Sequence, residues 1–299
     1  MTSDSPGPDD GPSLRWAVKR PDAGAKARTD VGSKLRSHPS TLSSVEEDRL
    51  LMALARRHLD AMPATAEGEA PVWQGCAIHA VAGRELVCDP SGIAYWPAED
   101  AVLVADLHLE KGAAFARRGQ LVPPFDTATT LRRLSQVLER WQPSRVFALG
   151  DSFHDERGAA EMPARERGEL AALMSGRDWV WIAGNHDPKP PEGLGGECCD
   201  VVETAGLTLI HEPDPDGPVG EIAGHLHPKA VVVRRGRAVS RSCFAADPRR
   251  MVMPSFGAYT GGLSVFHTAF DGLFQGRRFH ALMRGERQVY RIAGRDLSR

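Results

Sequence analysis

The chain has 299 residues, 41% of them hydrophobic, and a formal net charge of −2 at neutral pH, so it holds material for one large core or two small ones and exerts no global pull on polyanions. No uninterrupted apolar run approaches the roughly 20 residues of a membrane-crossing helix, and the start at Met1–Asp10 is acidic and polar with no apolar stretch behind it, so neither a membrane span nor export is expected. Five cysteines without a paired framework or a C-x-x-C spacing point to a reducing, cytoplasmic setting.

Residues 1–43 mix Pro, Gly, Ser, Asp, Lys and Arg without periodicity and read as a disordered polar tail. Residues 44–70 read as an appended helix and linker, the helix running from Ser44 to about Ala61 on Leu50, Leu51, Leu54 and Leu59; it docks either on the main body or on a partner. Residues 71–299 read as the main domain. A hairpin is expected from Leu86–Asp89 and Ile93–Trp96 around the Asp-Pro-Ser-Gly turn. The apolar run Ala101–Ala105 reads as a strand buried on both faces that delivers Asp106. A helix capped by Asp126 or Thr127 carries Leu131, Leu134, Leu138 and Trp141 and stops before Pro143. Strand Arg145–Leu149 then leads into Gly150-Asp151, a helix spans Ala164–Ser175, and strand Trp179–Ala183 ends at Gly184-Asn185-His186-Asp187. That alternation implies right-handed crossovers in a largely parallel sheet, with three polar blocks at the carboxyl ends of strands, where such sheets bind ligands. Beyond about Cys199 the spacing predicts a mainly antiparallel sheet, with strands at Asp200–Glu203, Leu207–His211, Glu221–Ala223, Ala230–Arg234 and Leu263–His267.

Five blocks carry the chemistry: Asp106-Leu107-His108, Gly150-Asp151, Gly184-Asn185-His186-Asp187, His211, and Gly224-His225-Leu226-His227. Carboxylate, imidazole and amide oxygen without a cysteine suit two divalent ions of hard to borderline character. On extended backbone, D-x-H and H-x-H would each aim two ligands at one cavity. Asp151 has two oxygens to offer to two ions, and Asn185 adds a ligand without adding negative charge. Each block alone has a blander reading, as a surface pair or an Asx turn; their order and their placement at strand ends favour the two-metal centre.

The blocks resemble the calcineurin-like metallophosphoesterase superfamily, over roughly residues 75–290. The resemblance implies an α/β fold, a four-layer α/β/β/α sandwich of two mixed sheets, and phosphoester hydrolysis by a hydroxide shared between two metal ions. Carried over, one ion takes Asp106, His108, Asp151 and His227, and the other takes Asp151, Asn185, His211 and His225. His186 stays off the metals as the catalytic proton donor. The stretches Asp106–Gly112, Gly150–Asp155 and Pro254–Gly262 are similar to a bacterial group named ligase-associated DNA-damage-response endonucleases, which implies a phosphodiester substrate such as DNA, and DNA-repair ligase or helicase partners. His154 and the long polar N-terminal extension depart from the superfamily pattern. Manganese is the expected ion, with iron or zinc as alternatives. A phosphodiesterase or phosphatase for nucleotides or other small phosphoesters is the alternative activity, and a protein-binding scaffold the alternative of another class.

Several neighbours carry two readings. Asp187 either orients His186 or caps a turn, the turn being favoured. His154 and Asp155 either serve the substrate or hydrogen-bond within their loop. Lys111, Arg117 and Arg118 either clamp phosphate or are simply solvated, the latter being favoured. Arg234, Arg235, Arg237 and Arg241 either line a nucleic-acid path or form a solvated hairpin face, again the favoured reading. His79, His267 and His280 read as ordinary surface or core histidines.

Overall fold

A computed structural model describes residues 43–55, 73–120, 122–189, 191 and 193–299. The expected tail, residues 56–61 of the expected helix and the linker that follows lie outside the described residues. Seven strands form the first sheet: β1 (Ala77–Val81), β2 (Arg84–Cys88), β3 (Ala94–Trp96), β4 (Ala101–Val104), β5 (Arg145–Leu149), β6 (Asp178–Ile182) and β7 (Glu197–Cys199), side by side in chain order. β1 to β4 pair antiparallel and β4 to β7 pair parallel. The sheet is therefore mixed, because the expected hairpin is joined edge-on to the crossover half. Its turn forms as read: Ser91 N–H donates to Asp89 Oδ1 at 2.7 Å, and Gly92 N–H to the Asp89 carbonyl at 2.9 Å.

The second sheet contains β8 (Val201–Thr204), β9 (Leu207–Ile210), β10 (Glu221–Ala223), β12 (Arg237–Ala246), β13 (Arg250–Val252), β14 (His280–Arg284) and β15 (Val289–Ala293), with β11 (Lys229–Arg234) paired to β12. It is mainly antiparallel, as expected, but β10 runs parallel to both β9 and β13. The expected strand Leu263–His267 does not form. Ser264 makes a single bridge to Lys229, and the segment packs as a loop through Val265, Phe270, Leu273 and Phe279.

Period-two side-chain alternation explains the layering. On β4, β5 and β6, Leu103, Phe147, Leu149, Val180 and Ile182 face the second sheet, while Val102, Val104, Val146, Ala148, Trp179 and Trp181 face the helices. Those helices are α3 (Asp126–Trp141) and α5 (Ala164–Met174), applying Leu131, Leu134, Leu138, Trp141, Leu170 and Met174. On β12, Phe244 and Ala246 enter the inter-sheet core, and Cys243 and Ala245 the outer one. The outer layer there is α1 (Ser44–Ala55) with the loop 263–279, giving the α/β/β/α sandwich. Two short helices, α2 (Lys111–Arg117) and α4 (Gly158–Glu161), flank the strand ends.

α1 docks on the body. Leu51 is fully buried in the outer core, Glu47 pairs with Arg241, and Glu46 lies 3.8 Å from Arg237. Half of the arginine run is thus engaged by the appended helix, an outcome neither reading of the run anticipated.

Candidate metal centre

β4, β5 and β6 end together, and β9 and β10 end opposite them across the seam between the sheets. The loops after β4 and β5 stay paired beyond the strands. Asp106 N–H donates to the Gly150 carbonyl at 3.2 Å, His108 N–H to Asp151 at 2.8 Å, and Leu109 N–H to Ser152 at 2.9 Å. Extended backbone does not aim the side chains, contrary to expectation. Asp106 and His108 have φ of +55° and +43°, and His225 and His227 +68° and +46°. The pleat stops at the strand ends, and paired left-handed residues turn both side chains into the cavity while Leu107 and Leu226 stay buried between them. Asp151, at φ +48°, makes a fifth. Such conformations cost about 1–3 kcal/mol each and persist only where the surroundings fix them.

The surroundings here are specific. Phe256 N–H donates to the Ala105 carbonyl at 2.9 Å, while Gly257 N–H and Ser255 Oγ–H donate to that of Asp106 at 3.0 and 3.1 Å. The segment 254–262, to which motif reading assigned no task, is therefore a clamp on the first block. Asp126 and Thr127 do not cap α3. Asp126 accepts from Gly112 N–H at 3.0 Å and Thr127 from Glu110 N–H at 2.7 Å, tying the first block's loop to the helix. Gly184 is required because a Cβ there would lie 2.1 Å from the Asp151 nitrogen, and at Gly150, with φ +74°, a Cβ would enter the His211 ring.

Two groups of side chains that could hold an ion result: Asp106, His108 and His227, and Asp151, His211 and His225. In the first, His227 Nε2 is 3.3 Å from both His108 Nε2 and Asp106 Oδ1. In the second, His211 Nδ1 donates to the Leu149 carbonyl at 2.9 Å, so in the neutral ring Nε2 is a lone pair. That lone pair faces Asn185 Oδ1 at 2.9 Å, His225 Nδ1 at 3.2 Å and Asp151 Oδ1 at 3.3 Å. Donors on one divalent ion at about 2.1 Å stand about 3.0 Å apart in octahedral and about 3.4 Å apart in tetrahedral geometry. The donor set fits an ion in spacing as well as in type.

The electrostatics agree. Burial opposes charge on His211, but the Asp151 carboxylate outweighs it and raises the imidazole to about 9. Burial pushes Asp151 up; the hydrogen bond and charge of His211 win, holding it well below the usual carboxylate range. Burial drives His108 and His225 down, and the charge of His211 adds to the effect at His225. The cavity thus favours positive charge beside its carboxylates and disfavours it on His108 and His225.

His186 belongs to neither group. Its Nδ1 lies 3.0 Å from the His154 carbonyl, its ring stacks on that of His154 at 5.2 Å, and its Nε2 is 3.8 Å from Asp151 Oδ2. Asp187 accepts from Phe153 N–H at 3.0 Å and Gly184 N–H at 3.2 Å, the turn role that was favoured. Burial and then Asp151 push its carboxyl up to about 7. Asp155 and Glu161 both pair with Arg117 at 2.5 Å, an ion-pair role that neither reading of Asp155 or Arg117 included. His79 sits elsewhere, bonded to the Asp247 carbonyl at 3.1 Å, and His267 Nδ1 accepts from Ala269 N–H.

No protein-family model and no curated protein matches the chain. Its structure is similar to that of Pseudomonas putida nuclease MPE, with 28% identity and a TM-score of 0.58 over 73% of this chain and 100% of that one. The structure of AQ665, a protein of unknown function from Aquifex aeolicus, aligns over 46% of this chain and 82% of its own at 19% identity and a TM-score of 0.31, too weak to carry an argument. The nuclease neighbour supports hydrolysis of phosphoester bonds in general. No helix among the described residues is long and apolar enough to cross a membrane.

Proposed function

We propose that the chain is a metal-dependent phosphodiesterase of the calcineurin-like metallophosphoesterase superfamily, acting as a DNA endonuclease of the ligase-associated DNA-damage-response group. The observation that carries the reading is the ring of donors around His211 Nε2, which one proton cannot satisfy and one cation can. Asp106, His108, Asp151 and His227 would hold one divalent ion, and Asp151, Asn185, His211 and His225 would hold the other, Asp151 being common to both sets; manganese is favoured over iron or zinc. Bound there, the ions supply Lewis-acid neutralisation of phosphoryl oxygens and an acidified water.

The chain's own residues do the rest. The Leu149 carbonyl fixes the His211 tautomer, and Asp106 accepts from His225 N–H with both oxygens, at 3.1 and 3.0 Å, locking the last block against the first. His186 keeps its Nδ1 proton on the His154 carbonyl, which leaves Nε2 to carry the proton given to the leaving oxygen. Residues 71–299 are the catalytic unit. Five free cysteines fit a reducing cytoplasm.

The test is a substrate panel on metal-analysed protein: bis-p-nitrophenyl phosphate against p-nitrophenyl phosphate, then circular single-stranded and duplex DNA. Two ions per chain, diester preferred over monoester and cleavage of circles are expected. Full metal occupancy without hydrolysis would leave the scaffold reading, and monoester preference would favour the small-phosphoester one.

A further inference from the structure

Three cations follow the first block, and the structure separates them. Arg117 is spent on Asp155 and Glu161, and Arg118 is exposed beyond it. Lys111 differs from both. It begins α2, is half-buried, and takes part in no salt bridge among the described residues. Glu110 beside it turns away through a left-handed φ of +61° and is buried against Thr127, and Asp126 is engaged by Gly112 N–H.

The lysine stem leads to the metal centre through a chain of rings. Its Nζ is 5.8 Å from the centroid of Phe115, and the Phe115 ring lies 5.3 Å from His154. His154 in turn stands 5.4 Å from His108 and 5.2 Å from His186. The positive charge of Lys111 is felt at both His108 and His154. His154 is itself buried with Nδ1 unpartnered, and its ring stands between Phe115, under the Lys111 ammonium, and His186. Asp126 is the carboxylate whose charge Lys111 feels, but the two form no ion pair among the described residues, so this half-buried ammonium has room for an anion from outside the chain.

We propose that Lys111 is the substrate-positioning cation of this site, contacting a non-bridging phosphoryl oxygen on the His154 and His186 side. This inference rests on the phosphodiesterase reading and names which side chain binds the phosphoryl group. A lysine acts there as a point charge, which orients less strictly than an arginine fork and tolerates varied esters.

The test compares wild type with Lys111→Met, which keeps the apolar stem against Phe115, with Lys111→Arg, and with Arg117→Met as the control. Two readouts are taken on manganese-loaded protein of measured metal content: inorganic phosphate affinity by calorimetry, and kcat and KM for bis-p-nitrophenyl phosphate. Lys111→Met should weaken phosphate roughly tenfold and raise KM by a similar factor, with kcat changed less than about threefold and metal content unaltered. Lys111→Arg should recover most of both, and Arg117→Met should alter neither. Unchanged phosphate affinity and KM in an active Lys111→Met protein would overturn the proposal. If wild type hydrolyses nothing yet binds phosphate through Lys111, the anion site stands and the phosphodiesterase reading falls; inactivity with phosphate affinity indifferent to Lys111 removes both.

Discussion

His186→Ala separates proton donation from metal binding. The ring lies outside both donor groups and reaches Asp151 Oδ2 only at 3.8 Å, so its removal should leave two ions in place. A positioned general acid contributes roughly 10²–10⁴-fold, or about 3–5 kcal/mol of barrier. That full loss is expected where the leaving oxygen is a sugar alkoxide that must be protonated as it departs. A nitrophenolate leaves unprotonated near neutral pH, so the loss on bis-p-nitrophenyl phosphate should stay under about tenfold. The assay runs DNA and the nitrophenyl diester on one preparation, with metal content measured on the same sample. Equal losses on both substrates, or loss of an ion with the ring, would refute the proton-donor role and make His186 a structural neighbour of Asp151.

Asp151→Asn should lower turnover by more than about 10³-fold and release at least one ion, because the amide keeps only one of the two oxygens, that beside His211 or that facing His186, and carries no charge; two retained ions with activity within tenfold would exclude the bridge. Leu51→Ala should cost about 2–5 kcal/mol at the α1 contact, read as faster amide exchange over residues 44–55 with hydrolysis unchanged, and unchanged protection would mean that α1 does not depend on this contact. His79 is buried between the Asp247 carbonyl and Arg291, and burial holds its pKa below the ordinary value. A depressed folded-state pKa gives stability that is present above the unfolded value, about 6.5, and lost as pH falls through the folded one. The urea midpoint should therefore drop more between pH 7 and pH 5 in wild type than in His79→Gln, and parallel pH profiles would sink the assignment.

The first sheet's buried strands were legible because β4, β5 and β6 are short apolar runs closed by Asp, Gly-Asp and Gly-Asn, where period and punctuation agree. The loop at Leu263–His267 was misread because its residues are as apolar as a strand's. Burial under α1 and β11 satisfies that apolarity without a ladder, which composition does not distinguish. Asp126 and Thr127 looked like helix caps, and their side chains do bind backbone N–H groups, but those of residues 112 and 110. Local chemistry named the bonding group and left the partner to tertiary structure. The pairing of Arg241 with Glu47 was invisible for the same reason, since the two residues are 194 positions apart.

The left-handed residues explain why blocks so short can be sufficient. Asp106, His108, Asp151, His225 and His227 all sit at positive φ, where a side chain must be held rather than merely tolerated. The holding groups come from elsewhere in the chain: Gly150 and Ser152 carbonyls for the first block, Ser255 to Gly257 behind it, and the Asp106 carboxylate for the last. Each loop is thus strained on its own and fixed by another, so the donors are gathered before any ion arrives. An ion entering such a cavity would relieve the repulsion between facing donors without having to order the loops, which is the basis for expecting tight binding if the proposed metal reading holds. The motif residues name the chemistry, and the loops that close on one another at the strand ends make it available.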